Sequence, residues 1–239
     1  MARLLLLLVL AATAAATAGA APDRSAHGCL RAGEVSFRAA DGVKVAAHRL
    51  GTGSTAVILA HQSEGSLCDW LPYARRLAAQ GYFAFPIDFR GYGLSGIPTR
   101  RAANRYAADL AAAVKAVRKL GKRKVILVGA SMGGLASLVA AANVSPAVQG
   151  VVSISGPARF RGLDAVKTGP RLRVPVLYVA AEDDDNAGFD FSADAETLFG
   201  ATAAVDKQLE VLPGGLHGIA LMGGSARARS LVESFLDAR

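Results

Sequence analysis

The 239-residue chain predicts a single α/β domain built on a mostly parallel sheet. Three observations predict it: a series of short, continuous apolar runs, longer helical stretches alternating with them, and a hairpin ahead of both. A run that is apolar along its whole length suits a strand covered on both faces, and alternation with helices is the pattern of a parallel sheet. With 52% hydrophobic and 19% charged residues, the chain has enough apolar side chain for one sizeable core and too little length for two domains.

Residues 1–20 stand apart: one charge in Met1-Ala2-Arg3, a pure apolar run from Leu4 to Leu10, and an alanine-rich stretch ending in Ala18-Gly19-Ala20. This is the order of a secretory signal peptide cleaved near Ala20 or Ala21, and it predicts a secreted, periplasmic or cell-envelope protein. The apolar part is shorter than the roughly 20 residues of a membrane span, so no stable membrane insertion is expected after cleavage. An arm, 21–33, leads into the domain, 34–239. Residues 34–50 alternate in the strand manner about Asp41-Gly42, a dipeptide suited to the positive φ of a tight hairpin. Strands are then expected at 56–60, 83–87, 125–128, 151–154, 174–179 and 208–212, and helices at 68–80, 102–120, 133–143, 189–199 and 225–238. Gly81 and Gly121 fall just past two of these helices, where C-terminal caps belong.

Net charge is +8, but the arginines and lysines are scattered and the one short cluster, 119–124, reads as a helix end before a strand. A solvated surface explains it, and no nucleic-acid partner is expected. The two cysteines, Cys29 and Cys68, form an even pair. In an exported protein that predicts a disulfide tying the arm to the start of a helix, with two buried thiols as the alternative.

One segment carries chemistry. Gly129-Ala130-Ser131-Met132-Gly133 follows a strand and opens a helix. A nucleophilic serine needs a sharp strand-to-helix turn flanked by glycines that let the backbone pass closely. In a chain with 26 glycines the spacing alone means little; its setting makes it informative.

Gly-Ala-Ser-Met-Gly-Gly resembles the nucleophile elbow of the α/β-hydrolase family, and the resemblance extends from the hairpin to the final helix. It implies an α/β-hydrolase fold: a mostly parallel eight-stranded sheet with an N-terminal antiparallel hairpin and helices on both faces. It also implies the order nucleophile, acid, histidine, each at the carboxyl end of a strand. Of the four histidines, His27 lies in the arm, His48 inside a strand and His61 before the serine, which leaves His217, after the last strand in Pro213-Gly214-Gly215-Leu216-His217-Gly218. The acid falls in Ala181-Glu182-Asp183-Asp184-Asp185. Laying the family's Gly-x-x-Asp turn on Ala181 selects Asp184; since the glycine is missing, Asp183 and Asp185 stay open. For the oxyanion hole the resemblance assigns the backbone N–H of Met132 and that of Ser63, in His61-Gln62-Ser63. Gln62 stands where family members often have glycine, which leaves Gln62 open as the second donor.

The implied activity is that of a secreted serine esterase or a dienelactone-hydrolase-like enzyme. It would act on a small-molecule carboxylic ester, thioester or lactone through an acyl-enzyme on Ser131. No cofactor or metal is expected, since no histidine or cysteine cluster has ligand spacing. Fewer than twenty residues separate Ser155 from Val174, too few for a helical lid, so an open site is expected; Arg159 and Arg161 lie in this connection. Asp88-Phe89-Arg90-Gly91-Tyr92-Gly93-Leu94-Ser95-Gly96 also resembles a family segment, a structural one. Its Gly91-x-Gly93-x-x-Gly96 matches a dinucleotide fingerprint, but not after the first strand, and reads as a tight strand-to-helix connection. A short-chain dehydrogenase is disfavoured: its glycine turn belongs near the N-terminus, and no tyrosine here has a lysine four residues on. A noncatalytic binding protein on a hydrolase scaffold is the rival of another class.

Overall fold

The computed structural model describes residues 28–29, 34–186 and 188–239. The expected signal peptide and all of the arm but Gly28 and Cys29 lie outside the described residues.

The hairpin forms as its alternation dictates. β1 (Glu34–Arg38) pairs antiparallel with β2 (Lys44–His48), and Gly42 takes φ +83° in the turn. The apolar runs become β3 (Thr55–Ala60), β4 (Phe83–Ile87), β5 (Lys124–Ala130) and β6 (Gly150–Ile154). A small hairpin follows, β7 (Arg159–Phe160) with β8 (Leu163–Asp164). β9 (Val176–Ala181) precedes a second small hairpin, β10 (Asp185–Asn186) with β11 (Phe189–Asp190), and β12 (Lys207–Leu212) ends the sheet. The eight main strands lie in the order β1-β2-β4-β3-β5-β6-β9-β12, parallel from β4 to β12.

Successive residues of the buried strands feed two separate cores, which is why those strands are apolar without alternation. On β3, Ala56, Ile58 and Ala60 join one core, and Val57 and Leu59 the other. The first core is closed by α2 (Tyr106–Lys119), α3 (Met132–Ala141) and α5 (Phe191–Ala201), with the short α4 (Ala165–Thr168) beside them. The second is closed by α1 (Leu71–Ala79), α6 (Gly218–Gly224) and α7 (Ala226–Asp237). No described helix is long and apolar enough to cross a membrane.

Several helices depart from the sequence expectation, some for a clear tertiary reason. The stretch expected at 102–120 opens as a short 3-10 turn, and α2 begins only at Tyr106, because the Ala102 carbonyl is taken by the buried Arg90 guanidinium (2.9 Å). α5 starts at Phe191, since 189–190 pair in the β10–β11 hairpin and the Asp190 side chain caps the helix by accepting from Ala193 N–H (2.9 Å). α6 forms where only loop was expected, directly after His217.

The segment 88–96 is held by two buried acids. The Asp88 carboxylate accepts N–H bonds from Leu67 (2.8 Å) and Leu94 (3.1 Å), and it occupies the space that a Cβ on Gly93 (φ +47°) would need. The glycine pattern of this segment therefore wraps a carboxylate of its own chain. Arg90, 1% exposed, forks onto fully buried Asp109 (2.6 and 3.0 Å) and reaches Asp41 in the hairpin turn (2.7 Å). Burial pushes the Asp109 carboxyl up despite its partner, whereas the Arg90 hydrogen bond holds Asp41 down.

Breaking a buried pair from one side costs more than the pair is worth, because the other charge stays behind without its counter-ion. Arg90→Ala is expected to lower stability by about 3–5 kcal/mol in urea unfolding. The double variant Arg90→Ala/Asp109→Leu should recover part of that loss; no recovery would refute the buried-charge explanation.

Candidate active site

The chain enters the parallel sheet at β3, adds β4 on one side and then β5 on the other, so the order reverses between β3 and β5. Open α/β sheets place ligands at such a switch point, beyond the carboxyl ends of the strands. Ser131 stands there, between β5 and α3, with φ +50° and ψ −119°. Such a backbone costs a non-glycine residue about 1–3 kcal/mol and persists only where its surroundings over-determine it. Here they do. Ser131 N–H donates to Ile154 O (2.8 Å), and the Ser131 carbonyl accepts from Leu135 N–H (3.1 Å). A side chain on Gly129 would collide with the Gly133 carbonyl, and one on Gly133 with the carbonyls of Ala60 and His61. The serine itself is 7% exposed.

His217 and Asp184 are brought together from β12 and β9. These strands pair in parallel, so their loops run side by side: Glu182 N–H donates to Leu212 O (2.8 Å) and Asp183 N–H to Gly214 O (3.0 Å). This stitching turns Glu182 and Asp183 outward and Asp184 inward, where it is 2% exposed. Asp184 accepts at both carboxylate oxygens from His217 Nδ1 (2.9 and 3.0 Å), and the Phe191 ring packs on the imidazole with centroids 4.4 Å apart. Asp183 and Asp185 are exposed. No hydrogen bond joins Ser131 Oγ to His217 Nε2 among the described residues; the two meet through their neighbours. A Cβ on Gly218, next to His217, would lie 3.5 Å from the Cβ of Ala130, next to Ser131.

Sequence reasoning missed two residues that aim His217. The Gln62 side-chain oxygen accepts from Ile219 N–H (3.0 Å), and Ser155 Oγ accepts from Gly218 N–H (3.0 Å). Both caps satisfy free amides of the first turn of α6, which explains why a helix starts there. Ser155 is fully buried and sits at φ +48°. A positive-φ residue is invisible in the sequence unless it is glycine. Gln62 was legible only as a departure from the expected glycine; its side chain clamps the histidine loop.

The backbone amides that the resemblance assigns to an oxyanion hole lie at the start of α3 and in the loop after β3. Met132 is the first residue of α3, so its N–H has no intrahelical acceptor and faces the cleft end of the helix dipole. Neither Gln62 N–H nor Ser63 N–H donates to any described residue, which keeps both available. Their loop is anchored by His61, fully buried. Phe89 N–H donates to His61 Nε2 (3.0 Å), so the ring proton sits on Nδ1 and donates to Gln62 O (2.6 Å). Cys29 and Cys68 form a disulfide with Cα atoms 6.0 Å apart, pinning the arm beside this loop's following helix. Among the described residues, no group of three histidine, cysteine or acidic side chains is placed to hold a metal ion.

Residues 55–217 match the α/β-hydrolase fold family, which spans β3 to the histidine. The chain belongs to that family. Among solved structures, the chain is similar to an esterase of Pyrococcus furiosus (TM-score 0.74, 18% identity, covering 86% of this chain and 89% of that one). It is similar also to an esterase of a Rhodococcus species (0.71, 18%, 86% and 99%) and to an esterase of Thermogutta terrifontis (0.68, 16%, 87% and 99%). No curated protein matches by sequence.

Burial pushes the His61 imidazole down from the ordinary range near 6.5. The unfolded chain therefore takes up a proton that the folded one resists, and stability is lost as pH falls below about 6.5. The urea midpoint of the wild type should drop between about pH 6.5 and 5, and His61→Asn, less stable throughout, should lose this part of the slope. Parallel pH profiles for the two proteins would refute it.

Proposed function

We propose that the protein is an exported serine hydrolase that cleaves a carboxylic ester, thioester or lactone through an acyl-enzyme on Ser131. One observation carries the reading: a strained, nearly buried serine at the switch point, with a carboxylate-bound histidine beside Gly218, where an added Cβ would stand 3.5 Å from the Cβ of Ala130. Strain of this kind clusters at functional sites, and a serine needs an adjacent base to act as a nucleophile.

In the proposed reaction Ser131 Oγ attacks the carbonyl carbon while its proton passes to His217 Nε2. Asp184, hydrogen-bonded at Nδ1, fixes the tautomer that leaves Nε2 free to accept and stabilises the imidazolium that results. Negative charge on the carbonyl oxygen is met by Met132 N–H at the helix terminus and by the second donor, Ser63 or Gln62. The bond to the leaving group breaks as His217 returns its proton to the departing oxygen or sulfur. Water then repeats the sequence on the acyl-serine and frees the acid. The connection from β6 to β9 holds only the β7–β8 hairpin, α4 and a 3-10 turn, which favours soluble substrates over bulk lipid. Export is supported by the residues 1–20 pattern and by the disulfide, which persists in an oxidising compartment.

A fluorophosphonate probe should label the wild type and fail on Ser131→Ala and His217→Ala. Asp184→Asn should lower kcat by about 10⁴-fold, while Asp183→Asn and Asp185→Asn stay near the wild type. Labelled protein recovered from the cell envelope or medium should begin at Ala21 or Pro22. Absence of labelling in the wild type would instead favour a noncatalytic binding protein. On a series of 4-nitrophenyl esters, activity should decline from short to long acyl chains; a preference for long chains would contradict the open-site reading.

A further inference from the structure

The β7–β8 hairpin turns on Arg161-Gly162, at φ +48° and +83°. With Arg159 opposite Asp164 and Phe160 opposite Leu163, this is a two-residue turn with both central residues left-handed, which asparagine or glycine enters cheaply. Arginine pays a steric cost there, and an observed outlier of this kind points toward function.

The guanidinium is held in an unusual way. Arg161 Nη1 donates to both Tyr92 Oη (3.2 Å) and Tyr106 Oη (3.1 Å). Among the described residues no acceptor meets Nε or Nη2, and no carboxylate pairs with Arg161, whereas Arg159 is engaged by Asp164 (2.9 Å). The open Nε–Nη2 edge is a fork that matches a carboxylate with two parallel hydrogen bonds.

Contacts lead from Arg161 to both ends of the reaction centre. Tyr92 Oη lies 4.0 Å from Met132 Sδ, on the residue after Ser131. In the other direction the guanidinium lies 5.0 Å from the Phe160 ring centroid, Phe160 meets Phe189 (6.0 Å), Phe189 stacks on Phe191 (5.6 Å), and Phe191 packs on His217. Arg161 is thus linked through side-chain contacts to Met132 on one side and to His217 on the other. It also lines a surface depression with Arg100, Arg101 and Arg105; Arg105 is paired with Asp41 (3.3 Å), and no acidic side chain is among the lining residues, so the local potential is positive.

We propose that Arg161 is a specificity-determining residue that binds a free carboxylate of the substrate, so that the preferred substrates are monoesters of dicarboxylic acids or similarly anionic acyl compounds. This rests on the ester-hydrolase reading above. Tyr92 and Tyr106 hold Nη1, which presents the open edge, and the Phe160–Phe189–Phe191 row supplies an apolar wall along the span between the carboxylate and the scissile carbonyl.

The test compares kcat/KM for neutral 4-nitrophenyl butyrate and for the anionic mono-4-nitrophenyl ester of glutaric acid. The wild type should prefer the charged ester at least ten-fold. In Arg161→Gln that ratio should fall by ten-fold or more, mainly through KM. Arg161→Gly, which relieves the turn, should lose it equally, Arg161→Lys should restore part, and Arg159→Gln should retain it. In parallel, calorimetry should detect glutarate binding to Ser131→Ala and not to Ser131→Ala/Arg161→Gln. If neither ester is hydrolysed but glutarate binding depends on Arg161, the catalytic reading fails and the carboxylate site stands. Hydrolysis of both esters with a ratio unaffected by Arg161, and glutarate binding absent or indifferent to it, would overturn the carboxylate site and leave the hydrolase reading intact.

Discussion

Helix α3 passes so close to the ends of β3 and β5 that no side chain fits between them, and the site depends on that approach. Glycines at 129 and 133 allow it: the Gly133 backbone occupies the place where a Cβ on Gly129 would stand, and the backbone of Ala60 and His61 the place where one on Gly133 would. With the strand end and helix start locked together, Ser131 has no room to relax from its positive φ. The same approach brings Met132 N–H, at the positive end of the helix, alongside the loop that carries Gln62 and Ser63. The proposed nucleophile and the amides proposed to stabilise its charge are therefore positioned by backbone packing, before any side chain is considered.

Around this fixed point, buried polar groups hold the loops. Asp88 gathers the amides of Leu67 and Leu94, and Arg90 joins the hairpin turn to α2 through Asp41 and Asp109. His61 links the ends of β3 and β4, and its ring packs edge-on against Phe89 and Tyr92. Each of these groups is expensive to bury and well satisfied, so the loops they pin resist displacement. Rigidity spreads outward in steps: Asp88 and His61 fix the segment that carries Tyr92, and Tyr92 in turn holds Arg161.

The proposed base is held by a different device. His217 lies on a glycine-rich loop that local interactions would leave mobile, yet Gln62 and Ser155 cap the helix that follows it and Asp184 grips its ring. Residues that follow β3, β6 and β9 converge on the loop that carries His217 after β12. Its orientation is a property of the sheet order, since only β12 beside β9 and β6 brings these ends within hydrogen-bonding reach.

Much of the architecture was legible in the sequence because it follows from local rules. Unbroken apolar runs mark strands with cores on both faces, Asp41-Gly42 marks a hairpin, and a serine between glycines at a strand-to-helix junction marks an elbow. The order of Ser131, the acidic turn and His217 needed only the chain direction. What tertiary structure decided lies wherever one residue's state is set by another far along the chain. Which of three adjacent aspartates turns inward depends on backbone bonds from 182 and 183 to the loop after β12. The start of α6 depends on caps from Gln62 and Ser155, which are 157 and 63 residues away from their partners in sequence. The open edge of Arg161 depends on two tyrosines reached through other loops. Periodicity and propensity record only what neighbours along the chain impose, whereas these features are imposed by hydrogen bonds and packing across the fold.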